Sequence, residues 1–312
     1  MSGEARWRWP EIALWLALLG VALALPQQAL LFNEIAILAL FALSLDLVLG
    51  YAGIVSLGHA AFFGLGCYGA ALFAKHVMPE PLIGLAVAIL LAAAAGALAS
   101  LTVVRGSDLT RLMVTLGLSL ICYELANKFE GLTGGADGLQ GVVMAPLLGR
   151  FDFDLGGRTA QAYSLSVLFI VFVLARRLVH SPFGWSLKAL RDNRLRAASL
   201  GIAVGWRIGA VYTLAAAIAG AAGALLAQTS GFASLGVFDF QRSADVLLVL
   251  IIGGAGWLYG GIVGAIAFKL LHDALSSMTP QYWTFWIGLV LVLLMLVGRE
   301  RLLRPWTWRL PR

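Results

Sequence analysis

The chain has 312 residues, of which 61% are hydrophobic and 12% charged, and its formal net charge is +6. Soluble globular domains carry about a quarter charged residues and about half apolar ones, so this composition excludes a water-soluble fold and points to an all-α, polytopic transmembrane helical bundle. The basic excess does not indicate nucleic acid, because the cations flank apolar segments as the positive-inside rule expects. Cys67 and Cys122 stand within apolar runs and supply neither a disulfide framework nor metal-ligand spacing. No long polar stretch divides the chain, so 1–312 reads as one transmembrane domain.

Taken in chain order, the first apolar run covers about 11–25. Arg6 and Arg8 before it and Pro26 after it also describe a signal peptide, but Trp7 and Trp9 resemble an interfacial belt and no small-x-small cleavage site follows. The second run, 31–49, carries Asp46 near its end. An ionisable residue inside a span is costly and marks a candidate pathway. There follows Leu49-Gly50-Tyr51-Ala52-Gly53-Ile54-Val55-Ser56-Leu57-Gly58-His59, which leads into the third run at 59–77. Gly50, Gly53 and Gly58 permit backbone that other residues resist. Two readings stand: an unwound segment with Ser56 and His59 at the start of the next helix, where such ends attract a carboxylate, or a tight connection between close-packed helices. Gly64, Gly66 and Gly69 offer a neighbouring helix a close approach.

The next runs span 82–104 and 109–127, the latter carrying Glu124 as a second candidate for the pathway. A polar loop over about 128–159 contains Thr133, Gly134, Gly135, Asp137 and Gly138, a set of turn formers. It is either a surface turn or a shaped mouth for an external partner. After the run at 161–179 comes a basic loop, about 180–206. Pro182 and Gly184 open it, Trp185 to Ser199 form a helix of about four turns, and Gly201 stands where a C-terminal cap belongs. The run at 207–227 leads to Ala244–Leu275, too long for one span and interrupted by Gly253, Gly254, Gly256, Gly260 and Gly261, with Gly264 beyond. A last run covers 283–298. Lys75, His76, Lys269 and His272 fall near helix ends and read as interfacial.

Charge sets the orientation. Arg176, Arg177, Lys188, Arg191, Arg194, Arg196 and Arg207 place the basic loop in the cytoplasm, and Arg299, Arg301, Arg304, Arg309 and Arg312 place the tail there too. An even number of crossings must follow Arg207, so the Gly-rich stretch counts as two short helices joined by a tight turn. About ten crossings result, with both termini cytoplasmic.

Four segments in register carry a resemblance: Leu49–Tyr68; Leu132–Leu139; Ser181-Pro182-Phe183-Gly184 with Ala189–Asn193 and Ala197–Ile202; and Gly253–Gly256 with Gly260, Gly261, Gly264 and Ala265. Over about 35–300 the chain resembles the permease subunits of branched-chain amino acid ABC importers. It departs from that pattern at Asp46, where Asn is common, at Arg194, Trp257 and Gly261, and in the tail Arg299–Leu303. The resemblance implies a coupling helix that seats Gly184, Arg191, Asp192, Asn193, Ala197, Ala198, Leu200 and Gly201 against an ATPase. It also implies a second permease subunit, two ATP-binding subunits, an external solute-binding protein and a bacterial inner-membrane location. Urea, short amides or another small carboxylate are alternative substrates within the same family.

No Walker loop, nucleotide-binding glycine motif or catalytic triad spacing occurs, so the chain is expected to bind no cofactor and to leave ATP to its partners. An ion-coupled secondary transporter predicts several paired charges within the spans, where only Asp46 and Glu124 stand out. A membrane-embedded enzyme predicts clustered polar catalytic groups in the spans, and none is evident.

Overall fold

The computed structural model describes residues 9–278 except 107 and 155, and a few scattered residues between 282 and 292. The expected span at 283–298 falls largely outside the described residues, as do Arg6, Arg8 and the Arg-rich tail. The described chain is helical, and its β-pairing is limited to the isolated bridges Leu139–Ala233 and Leu147–Phe151. In order it forms α1 Trp9–Ala24, α2 Ala29–Asp46, α3 Ala60–His76, α4 Pro81–Arg105, α5 Asp108–Lys128 and the single turn α6 Glu130–Thr133. There follow α7 Arg158–Val179, α8 Pro182–Asp192, α9 Arg194–Ser199, α10 Val204–Ser230, α11 Phe240–Gly253 and α12 Gly260–Met278.

Punctuation in the sequence sets these boundaries. Pro81 and Pro182 occupy the first turns of α4 and α8, where a missing N–H costs nothing. The Ser181 hydroxyl caps α8 by accepting from the Gly184 N–H, and left-handed Gly231 stops α10. Among the described residues five segments are long and apolar enough to cross a membrane: Pro26–Tyr51, Pro81–Val104, Leu109–Lys128, Arg158–Val179 and Val204–Ser230. By contrast, α11 has 14 residues, about 21 Å against a hydrocarbon core of about 30 Å.

The core centres on α10, which packs against α4, α3 and α2. Small residues make this possible: a Cβ at Gly66 would fall on the Gly220 backbone, and one at Gly223 on the Phe63 carbonyl. A polar network joins four helices within this apolar body. Ser164 of α7 donates to the Asn33 side chain of α2, Asn33 donates to Thr229 of α10 (3.1 Å), and Tyr163 donates to Gln228 (3.0 Å), which donates to the Pro81 carbonyl of α4. Helix α1 packs on α7 through Trp15 against Phe169 and Phe172, and through an ion pair of Glu11 with the buried Arg176 at 3.1 Å.

The connections gather at two ends of the bundle. At one end the Gly50 carbonyl meets Arg191 of α8, Asp46 meets the Gly256 N–H, and Gly205 lies against Val104. At the other, Leu139 pairs with Ala233 and the Ala145 N–H donates to Pro79. The longer helices alternate between these two ends.

Candidate functional site

The first feature is an unwound segment between α2 and α3. Beyond Asp46 the helix widens into a π-type turn over Leu47–Tyr51, and the backbone stays non-helical until Ala60. This is the open form of the two readings for Tyr51–Leu57, and His59 occupies the N-cap position of α3. Three contacts hold it. The Asp46 Oδ1 accepts from the Gly256 N–H at 2.7 Å, the Arg191 guanidinium donates to the Gly50 carbonyl at 2.6 Å, and the Ala60 N–H donates to the Ser243 hydroxyl of α11 at 3.0 Å. Gly53 has φ +68 with Arg191 against its Cα, and a side chain at Gly50 would strike Asp46 and Gly256. Gly58 is equally confined, since a Cβ there would meet the Thr115 backbone of α5.

Behind this segment lies a fully buried polar pocket. His59 Nε2 bonds the Ser44 hydroxyl at 2.9 Å, and Phe41 stacks on the imidazole. His59 Nδ1 is buried without a hydrogen-bond partner among the described residues, and the buried Ser56 and Tyr212 hydroxyls lie beside each other. Asp46, Gly53, Ser56, Gly58 and His59 therefore belong to one neighbourhood. Glu124 does not: it is exposed on α5, close to the opposite end of the bundle.

The Gly-rich hairpin links to the same node. α11 ends at Gly253, Gly254 and Gly256 have φ of +98 and +79, and α12 begins at Gly260. Close approach explains the rest, because a Cβ at Gly264 would overlap the Val249 carbonyl and one at Gly253 the Gly260 carbonyl.

The basic loop differs from the expected single helix over Trp185–Ser199. It breaks at Asn193, whose backbone is extended (φ −160, ψ 106), giving α8 and α9. The break uses Asn193 as a cap, its side chain accepting from the Arg196 N–H at 2.9 Å. At the far end the Gly201 N–H donates to Ala198 and the Ile202 N–H to Ala197, with Gly201 at φ +81, which is a Schellman close. The residues expected to face a partner divide accordingly. Gly184 abuts the Val179 carbonyl, Ala197 is buried, and Arg191 and Asn193 bond within the chain. Asp192, Ala198 and Leu200 remain outward, beside Leu195 at 84% exposure.

In the loop at the other end, Thr133 donates to the Ala126 and Phe129 carbonyls, and Gly134, Gly135 and Gly138 all have positive φ. Gly138 packs under Phe232, and Asp137 is exposed. The loop is thus pinned to residues 231–234, which lead to α11.

A cluster of charges went unseen in the sequence. Lys269 lies mid-helix in α12, bonded to Glu34 of α2 at 2.6 Å and to Asp273 at 3.3 Å. It is not at a helix end, which corrects the interfacial reading. Asp239, Arg242 and Asp245 begin α11 on the same cavity. The intramembrane charges therefore exceed Asp46 and Glu124, and their scarcity does not argue against an ion-coupled carrier. Among the described residues no group of His, Cys, Asp and Glu is arranged to hold a metal.

Comparison with known proteins decides the class instead. The family model described as branched-chain amino acid transport system, permease component, matches residues 29–297. The chain is 29% identical over 286 residues to the high-affinity branched-chain amino acid transport system permease protein LivM of Escherichia coli, covering 85% of this chain and 67% of that protein. LivM of Salmonella typhimurium matches to the same extent. The autoinducer 2 import system permease protein LsrC of Enterobacter sp. is 29% identical over 307 residues, covering 92% of this chain and 85% of that protein. No solved structure matches the chain.

Proposed function

The chain belongs to the family of branched-chain amino acid transport system permease components, and from that membership we propose that it is the membrane-spanning subunit of an ABC importer for branched-chain or closely related amino acids. It pairs with a second permease subunit, two ATP-binding subunits and an external solute-binding protein, in a bacterial cell membrane. It binds no cofactor of its own and catalyses no reaction; ATP is used by the partners. About ten crossings with cytoplasmic termini complete the reading.

One observation carries the mechanism: the Arg191 guanidinium of α8 on the Gly50 carbonyl at 2.6 Å. It fastens a helix outside the bundle to the unwound segment that begins at Asp46. The exposed face of Asp192, Leu195, Ala198 and Leu200 receives the ATP-binding subunit. Closure of that subunit on ATP shifts α8, and Arg191 passes the displacement to Leu47–His59 and, through Asp46, to the Gly254–Gly256 turn. The two access states differ in these contacts, which is what a coupled equilibrium requires.

The test is reconstitution of the whole complex in liposomes, measuring L-leucine uptake against ATP hydrolysed. Arg191→Ala removes a charge-assisted bond of about 1.5–3 kcal/mol, so uptake per ATP should drop while the complex still assembles. An unchanged ratio would sink the coupling route. The similarity to LsrC favours a second reading, in which the solute is another small polar molecule. A wild-type complex whose ATPase responds to such a solute and ignores leucine would select that alternative.

A further inference from the structure

A cavity of about 540 Å³ lies between α2, α11 and α12, and charges from all three helices line it. Their depth follows from the helix rise. The Asp46–Gly256 bond gives the helices a common base. Asp245 is eight residues from Gly253 and Lys269 nine from Gly260, about 12 and 14 Å away, and Glu34 is twelve residues from Asp46, about 18 Å. The Lys269–Glu34 ion pair confirms the shared level. That level is near the middle of a hydrocarbon core about 30 Å thick.

Charges at such depth are tolerated against water or a polar partner and are costly against lipid. Yet Glu34 and Asp273 are 54% and 42% exposed, so this wall of the bundle does not face lipid. Most of the charge is spent inside the groove: Lys269 holds Glu34 and Asp273, and Gln241 donates to Asp245 at 2.8 Å. Two groups are left over. The Arg242 guanidinium and the Asp239 carboxylate form no side-chain hydrogen bond or contact ion pair among the described residues, and both are exposed, Asp239 at the N-cap and Arg242 in the first turn of α11. Three residues apart, they lie on one helix face. Beside them the groove is lined by Phe41, Phe63, Leu226 and Phe268.

We propose that this groove is a water-filled solute station on the transport pathway, built for the zwitterion of an α-amino acid with an aliphatic side chain. Arg242 takes the carboxylate, Asp239 with Asp245 takes the ammonium, and the phenylalanines take the side chain. The proposal rests on the amino-acid import reading above and adds to it the place and the recognising groups.

The test uses the complete complex in liposomes. Gln241→Cys, on the groove, is compared with Leu98→Cys, on the apolar face of α4 (Leu98 is 70% exposed), using a charged, membrane-impermeant thiol reagent. The native cysteines, Cys67 and Cys122, are buried. Because thiolate in water is the reactive species, Gln241→Cys should react at least about tenfold faster, and L-leucine with the binding protein should slow it. Arg242→Gln should cut leucine uptake by about tenfold, the effect of losing one charge-assisted bond, and Arg242→Lys should restore most of it. Equal rates for Gln241→Cys and Leu98→Cys would show the groove dry and overturn the proposal. So would an unslowed reaction in a complex that imports leucine. A wild-type complex that imports no amino acid fails before any variant is compared; that failure belongs to the import reading and withdraws the ligand assignment with it.

Discussion

Asp46 accepts one backbone N–H, that of Gly256, and its second oxygen has no hydrogen-bond partner among the described residues. An amide at this position keeps the accepting oxygen, which agrees with the Asn common here in the resembling family. Asp46→Asn should therefore leave assembly and leucine uptake intact. Asp46→Leu leaves the Gly256 N–H of a half-buried turn without its acceptor, a loss of about 1 kcal/mol, and should lower the thermal midpoint of the purified complex. Equal midpoints for the two variants would show that the bond does not matter. Glu11 and Arg176 make a sharper case, since Arg176 is only 9% exposed. Glu11→Ala removes one charge-assisted bond from a buried guanidinium that keeps its contact with Tyr259, a loss of about 1.5–3 kcal/mol, and should loosen α1 from α7, seen as faster proteolysis at the N-terminal end. Asp46 was legible because it interrupts an apolar run. Lys269 was misplaced because the sequence ended its helix at Leu275, whereas α12 continues to Met278, and its partner Glu34 is too distant in sequence for any local pattern to reveal. Asp239 and Arg242 precede the expected stretch Ala244–Leu275 and Asp245 is its second residue, so none of them interrupts an apolar run.

Among the elements, α8 and α9 show where sequence signals succeed and fail. Pro182 and Gly201 are punctuation with a fixed backbone meaning, and both mark real boundaries. Asn193 follows Asp192 between stretches of good helix formers, and its use as a cap for α9 reveals the break. Two variants separate the roles of the ends. Asn193→Ala loses a cap at about 1 kcal/mol, so the ATP-binding subunits should co-purify slightly less well. Gly201→Pro cannot adopt φ +81 and removes the N–H that closes the Schellman motif, so association should be lost while the chain still inserts. If both variants retain their ATP-binding subunits fully, α9 is not the docking element. The unwound segment before α3 was only half legible. Its glycines permit both an open segment and a tight turn, and the choice is made by Ser243 and Arg191, which reach it from α11 and α8.

For the whole molecule, the alternation of helices between two ends groups the connections without reference to charge, and charge then orients the groups. Arg191–Gly50 and Asp46–Gly256 put the 50–53, 180–203 and 254–259 segments at one end, and Leu139–Ala233 puts the 133–139 and 231–234 segments at the other. The proposed orientation puts the end that holds Arg176, Arg177, Lys188, Arg191, Arg194 and Arg196 in the cytoplasm, on the positive-inside rule. Since α12 runs away from that end, the proposed count of ten requires one further crossing over 283–298, largely outside the described residues, to bring the basic tail back to the cytoplasm. A cysteine at Gln140, which is exposed, should be labelled in intact cells by an impermeant reagent. Cysteines at Leu195, at Trp257 and beyond Arg299 should be labelled only after permeabilisation. Labelling of Trp257→Cys from outside would break the pairing of α11 and α12 as two crossings. Labelling of the tail from outside, with Trp257→Cys still protected, would leave the described bundle intact and remove the tenth crossing alone.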